Sequence, residues 1–189
     1  VTAGAGRARP VRVGLAAGRA RAGLAAGLVL LGGASGCTDD GTGPSAGAWE
    51  ATVTGTVNRS LIGLATFGSV ASDDGDDDFL IELLADGAQP VVRITVRSAA
   101  PGPLPVGNHP VQPVATTQAV AVEFLQLEGG GLTGSLQGQS GSVTIRTSTD
   151  GRVGGDFDFT ATGFLIVSGT AVADAEIEVS GSFSAVSGD

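Results

Sequence analysis

Tyrosine and methionine are absent from this 189-residue chain, and cysteine, histidine and tryptophan occur once each. Each shortage removes a class of function. A single cysteine forbids an internal disulfide. A single histidine, His109, rules out an H-E-x-x-H zinc motif. A Ser-His-Asp triad would have to be built on it, yet it sits between Asn108 and Pro110 in a proline-rich stretch, where an exposed loop residue is expected. No P-loop occurs. One Trp and seven Phe supply few platforms for a polysaccharide hydrolase or sugar-binding module, and few for the aromatic girdles of an outer-membrane barrel. These shortages lead us to expect a non-enzymatic protein without an organic cofactor.

Acidic residues are missing from the first 36 positions, where all charge is positive: Arg7, Arg9, Arg12, Arg19 and Arg21. Arg19 and Arg21 precede an apolar run, Leu24 to Leu31, and then the small residues Gly32 to Gly36. That order is the n-, h- and cleavage-region order of an export signal. The uncharged stretch from Leu24 to Gly36 is 13 residues, short of the roughly 20 that a spanning helix needs. With no Met even at position 1, the chain reads as a fragment or as starting from a non-ATG codon, so residues 1–36 are assigned to a removable signal whose start is left open.

Ala34-Ser35-Gly36 before Cys37 resembles the lipobox of bacterial lipoproteins, in which the thiol is acylated and becomes the mature N-terminus. Ala34 stands where that motif usually carries Leu, which keeps ordinary cleavage after Gly36 as the alternative. The resemblance implies a lipid anchor at Cys37 and a place in the bacterial cell envelope, periplasmic or surface-facing. Residues 37–48 then form a Pro/Gly/Asp tether with an end-to-end reach of about 17 to 20 Å. Beyond Cys37, five arginines against nineteen acids leave a charge of −14, which disfavours nucleic acid as a partner.

From Trp49 the hydrophobic period is two. Trp49, Ala51, Val53 and Val57 alternate with Glu50, Thr52, Thr54 and Thr56; Asn58-Arg59-Ser60 is a turn; Leu61 to Ala71 follows. Phe79, Ile81 and Leu83 pair with Val92, Ile94 and Val96 as a hairpin whose apolar faces match only if paired numbers sum to an odd value. A two-residue loop makes the sum 175, placing Glu82 opposite Arg93 and Asp78 opposite Arg97. Ala99 to Pro113 holds five of the eight prolines and reads as a crossing loop or edge segment.

Gln118 to Glu128 is a further strand, and Gly129 to Gly141 reads as a loose glycine-rich connection. Gly129, Gly131 and Gly134 match G-x-G-x-x-G, but LTGSLQGQSGS is a poor helix, so a dinucleotide site is rejected. Gly141 to Phe159 is a hairpin around Asp150-Gly151 whose apolar faces match only at an even pairing sum; a three-residue loop Asp150 to Arg152 or a bulge at Gly154-Gly155 gives 302 and sets Arg146 opposite Asp156. Ala171 to Val186 closes the domain, which spans 49–189.

Trp49-Glu-Ala-Thr-Val-Thr-Gly55, Gly141-Ser-Val-Thr-Ile145, Gly155-Asp-Phe-Asp-Phe159 and Val179-Ser-Gly-Ser-Phe183 resemble the strands of uncharacterised bacterial β-rich lipoproteins. That family brings no activity or site residues.

One cluster suggests a ligand. Asp73, Asp74, Asp76, Asp77 and Asp78 crowd five carboxylates into six residues, a mutual repulsion that Ca²⁺ would relieve. EF-hand spacing fails, and a solvated turn is the plainer reading. The expected fold is an all-β antiparallel sandwich or barrel of about eight to ten hairpin-connected strands, preceded by a signal helix and a disordered tether. The expected function is a membrane-tethered envelope domain that binds an unknown envelope protein or has a structural role. The alternative is a lipocalin-like carrier of a small apolar ligand.

Overall fold

The computed structural model describes residues 43–71, 77–85, 89–98 and 105–188. All belong to the second of two compact units, Asp39–Asp189. The expected signal helix and the start of the tether lie outside the described residues, as does Cys37.

The described chain is all-β. Nine strands form one sheet: β1 (Ala48–Gly55), β2 (Arg59–Ala71), β3 (Asp77–Ala85), β4 (Gln89–Ser98), β5 (Gly107–Pro110), β6 (Val120–Glu128), β7 (Gly131–Thr149), β8 (Arg152–Val167) and β9 (Thr170–Ser187). Every strand but β5 pairs with its sequence neighbours around a ring, since β4 is followed by β6 and β9 returns to β1. The result is an eight-stranded up-and-down barrel, the closed form of the two architectures expected. Where β1 has not yet begun, β9 reaches across to β2 through a short parallel pairing, Thr66 to Val186 and Phe67 to Ser187. β5 lies beside the second half of β7, beyond the part that β6 covers. The proline-rich stretch therefore does supply an edge segment.

The β3–β4 register matches the expectation: Glu82 pairs with Arg93 and Asp78 with Arg97. Their side chains form ion pairs of 3.3 and 3.2 Å. The β7–β8 register differs. The turn is a plain two-residue Asp150-Gly151, so paired numbers sum to 301 near it, and a bulge at Arg146 shifts the sum to 300 from Ile145 and Gly155 onward. The required even sum is thus restored by an extra residue in β7 rather than by a longer loop or by Gly154-Gly155. Arg146 still forms an ion pair with Asp156.

A larger correction concerns Gly129 to Gly141. Only Gly129-Gly130 turn; from Gly131 the chain is a single strand of 19 residues. Its bulge between Gly138 and Ser140 changes which parity faces inward, from Leu136 to Val143 and Ile145. That switch, together with the scarcity of apolar side chains, hides the period of two. The strand end assigned to Val57 falls at Gly55, and the tether's last residues are held in place: Gly47 N–H donates to the Ser184 carbonyl (2.6 Å) and the Gly47 carbonyl accepts from Ala65 N–H (2.9 Å).

Inside the ring, large residues face glycines. Trp49 is 1% exposed and pairs in register with Gly63. Its indole passes over that glycine and donates from Nε1 to the carbonyl of Leu84 at 2.9 Å, tying β1 to β3 at the β3–β4 bulge. A Cβ on Gly63 would lie 2.8 Å from the indole nitrogen and would overlap the Leu84 carbonyl oxygen. Phe157 sits over Gly181 in the same way, with its ring centroid 6.3 Å from that of Phe183. An eight-stranded barrel is just wide enough for side chains to fill, and Trp49, Phe124, Phe159, Phe183, Leu83 and Ile177 are among those that fill this one.

Candidate functional site

Up-and-down connectivity divides the barrel into two ends. The connections β1–β2, β3–β4, β6–β7 and β8–β9 lie at one, called the mouth; β2–β3, β4–β6 and β7–β8 lie at the other, the base. Clefts on the outer wall come first. A groove of 370 Å³ is lined by Arg93, Thr95, Glu123, Ser135 and Gln137, but its guanidinium is committed to Glu82 and Glu123. A cleft of 200 Å³ toward the base holds Arg146, Arg152, Asp156 and Ser184 beside Gly43 and Pro44. Its polar groups are engaged too: Arg146 pairs with Asp156, and Arg152 Nε donates to the buried Ser184 hydroxyl at 2.8 Å. A third groove, 260 Å³ between β9, β1 and β2, is lined mainly by serines, Glu50, Thr52 and Ile62.

The mouth is different. Arg59 opens β2 in the same parity as the inward residues Leu61, Ala65 and Phe67. It therefore projects over the interior, where its guanidinium carbon lies 5.2 Å from the ring centroid of the fully buried Phe124 on β6. Arg59 Nη2 donates to Gln126 Oε1 at 3.4 Å, and Gln126 Nε2 donates to the Ile166 carbonyl at 3.1 Å. A polar bar thus crosses the mouth from β2 through β6 to β8, above the Phe124 ring. Gln126 reaches inward because it shares the parity of Val120, Val122 and Phe124 on β6.

Arg59 Nε is buried and has no hydrogen-bond partner, and among the described residues no carboxylate meets this guanidinium. Burial pushes its pKa below the ordinary arginine value, because the charged form is desolvated. A cavity of 70 Å³ lies beside it, lined by Leu61, Ala85, Val91, Leu125, Gln126 and Leu127. Chemically, this is a cation with unused N–H donors set in an apolar collar.

The residues singled out from the sequence fall elsewhere. Asp73, Asp74 and Asp76 lie outside the described residues, as does Cys37. Asp77 pairs through its backbone with Ser98 at the base. The Asp78 carboxylate is engaged by Arg97. Among the described residues no group of three or more His, Cys, Asp or Glu converges as a metal site, and no helix is long and apolar enough to cross a membrane. His109 is half-buried on β5 and its Nε2 lies 2.9 Å from the Pro105 carbonyl. Arg59 itself reads as a turn residue in the sequence. The signal that marks it is its parity: it is in register with inward apolar residues, whereas Arg93 and Arg97 stand in the outward register opposite acids. No protein-family model matches this chain, and neither the curated proteins nor the solved structures contain a significant match.

Proposed function

We propose that this chain is an exported envelope domain, tethered to a membrane through lipid at Cys37, that acts by binding a partner at the barrel mouth and not by catalysis. The observation that carries the binding reading is Arg59, a half-buried cation held over Phe124 without an acidic partner. The guanidinium groups of Arg93, Arg97 and Arg146 each meet a carboxylate; that of Arg59, at a barrel end, meets none among the described residues. The tether rests on the sequence features around Cys37. Gly43 and Pro44 lie beside residues of the base, so a tether entering there leaves the mouth accessible.

The carrier reading, with a ligand enclosed in an apolar cavity, draws less support, because Trp49, Phe124, Phe159 and Phe183 occupy the interior such a ligand would need. Calcium at Asp73 to Asp78 draws less as well, since Asp78 is already paired with Arg97. Mass spectrometry of the mature protein from a bacterial host tests the address. A diacylated N-terminal Cys37, lost together with membrane association in Cys37→Ala, is the expected result. An unmodified Cys37, or cleavage at another bond, removes the tether from the proposal.

A further inference from the structure

Among the described arginines, Arg93 is held by Glu82 and Glu123, Arg97 by Asp78, Arg146 by Asp156, and Arg152 by the Ser184 hydroxyl. Arg59 has one long bond to a neutral amide and no carboxylate among the described residues; its Nε, like that of Arg93, is a buried N–H with no acceptor. Nineteen acids were available to a chain with so few cations after Cys37, yet none of the described ones is placed at this site. A guanidinium has five donors in a planar fork that matches a carboxylate. A buried charge without a counter-charge is costly, and an apolar side chain at position 59 would close the barrel end at lower cost.

The space beside Arg59 has a definite size. At 70 Å³ it holds about two water volumes, taking about 30 Å³ for each; that suits a carboxylate head and excludes a whole lipid or sugar. Its walls, by contrast, are mostly apolar: Leu61, Ala85, Val91, Leu125 and Leu127 around the single amide of Gln126. Hydrophobic side chains next to one desolvated cation select molecules that carry both properties.

Resting on the reading of the mouth as the binding face, the geometry points to an amphiphilic monocarboxylate as the ligand, its head group paired with Arg59 above Phe124 and its hydrocarbon chain lying along the Leu61–Val91–Leu127 collar. The head enters the cavity and the tail stays at the rim, which reconciles binding with a filled interior. The Phe124 ring holds the guanidinium from below, and Gln126 holds it from the side, so the fork is oriented before a ligand arrives.

Titration of the processed full-length protein in non-ionic detergent tests this, using hexanoate, acetate and 1-hexanol as probes and NMR signals of the Arg59 side chain and of β2, β4 and β6 amides as readout. Hexanoate is expected to shift Arg59 Nε–Hε and to bind at least tenfold more tightly than either acetate or 1-hexanol. Arg59→Gln should cost hexanoate at least tenfold, and Leu127→Ser should remove the advantage of hexanoate over acetate. Equal binding of 1-hexanol and hexanoate, or undiminished hexanoate affinity in a folded Arg59→Gln, overturns the carboxylate while leaving the mouth as the binding face. Equal binding of acetate and hexanoate overturns the apolar tail. Absence of any shift at the mouth with all three probes overturns both the ligand class and the reading beneath it.

Discussion

At the base of the barrel Arg97 pairs with Asp78 and Arg146 with Asp156, whereas at the mouth Arg59 leans on the face of Phe124 and donates only to the neutral amide of Gln126. The base pairs are cross-strand charge pairs on the outer wall. Their role is register: each acid stands opposite or beside its arginine because inward apolar residues set the alignment and charges follow. Arg59 obeys the opposite rule. It takes an inward position, loses hydration and receives no counter-charge. A residue that violates local physical preference in this way marks a place where stability has been traded for something else.

Breaking the support beneath the mouth should give the largest effect. Trp49 holds the Leu84 carbonyl, next to Ala85 in the mouth wall. Trp49→Ala is expected to cost about 3 to 5 kcal/mol in urea unfolding, and to broaden NMR signals at the mouth before those at the base. A loss below about 1 kcal/mol would show that the indole is not the strap described here.

Arg59→Met should act in the opposite direction. Replacing a desolvated cation by an apolar side chain is expected to raise stability by about 1 kcal/mol, read as a rise of about 4 °C in Tm. The sign with pH follows from the lowered pKa. The folded state holds this proton less tightly than the unfolded state, so the deficit of wild type against Arg59→Met is constant through the neutral range. It narrows only as pH climbs through the lowered folded value toward the ordinary arginine value. A clear loss of stability in Arg59→Met at neutral pH would make Arg59 a structural cap and erase the contrast between the ends.

Asp78→Asn and Asp156→Asn at the base should give the smallest changes. Both pairs are partly exposed, so each is expected to contribute about 0.2 to 1 kcal/mol, and the difference from wild type should shrink as salt is raised. A salt-independent loss of several times that size would mean that the base charges position more than the register.

Much of the barrel is legible in the sequence, and the limits have physical causes. Alternation in β1, β3, β4 and β9 is local, because each strand has one wet and one buried face and a short turn ties its neighbour's register to its own. The Glu82–Arg93 and Asp78–Arg97 pairs are legible for the same reason. β7 is not, since bulges at Gly138/Ser140 and Ile145/Thr147 change parity and its glycines receive side chains from elsewhere in the chain: Leu165 of β8 against Gly134, and Val111, just after β5, against Gly138. A glycine in such a strand looks like a turn until the residue that covers it is known. The site was hidden for a related reason: Asn58-Arg59-Ser60 has turn composition, and its significance depends on Phe124 and Gln126, more than 60 residues away.

The identity of β1, β3, β4 and β9, the β3–β4 hairpin register and the opposition of its charges therefore follow from residue order alone, because they depend on neighbours within a few positions and on a period of two. Closure of the ring through β9 and β1, the filling of its interior by Trp49 and the phenylalanines over distant glycines, and the suspension of Arg59 above Phe124 belong to the folded barrel. They arise from contacts between residues far apart in the chain, and no local pattern records which of those residues will meet.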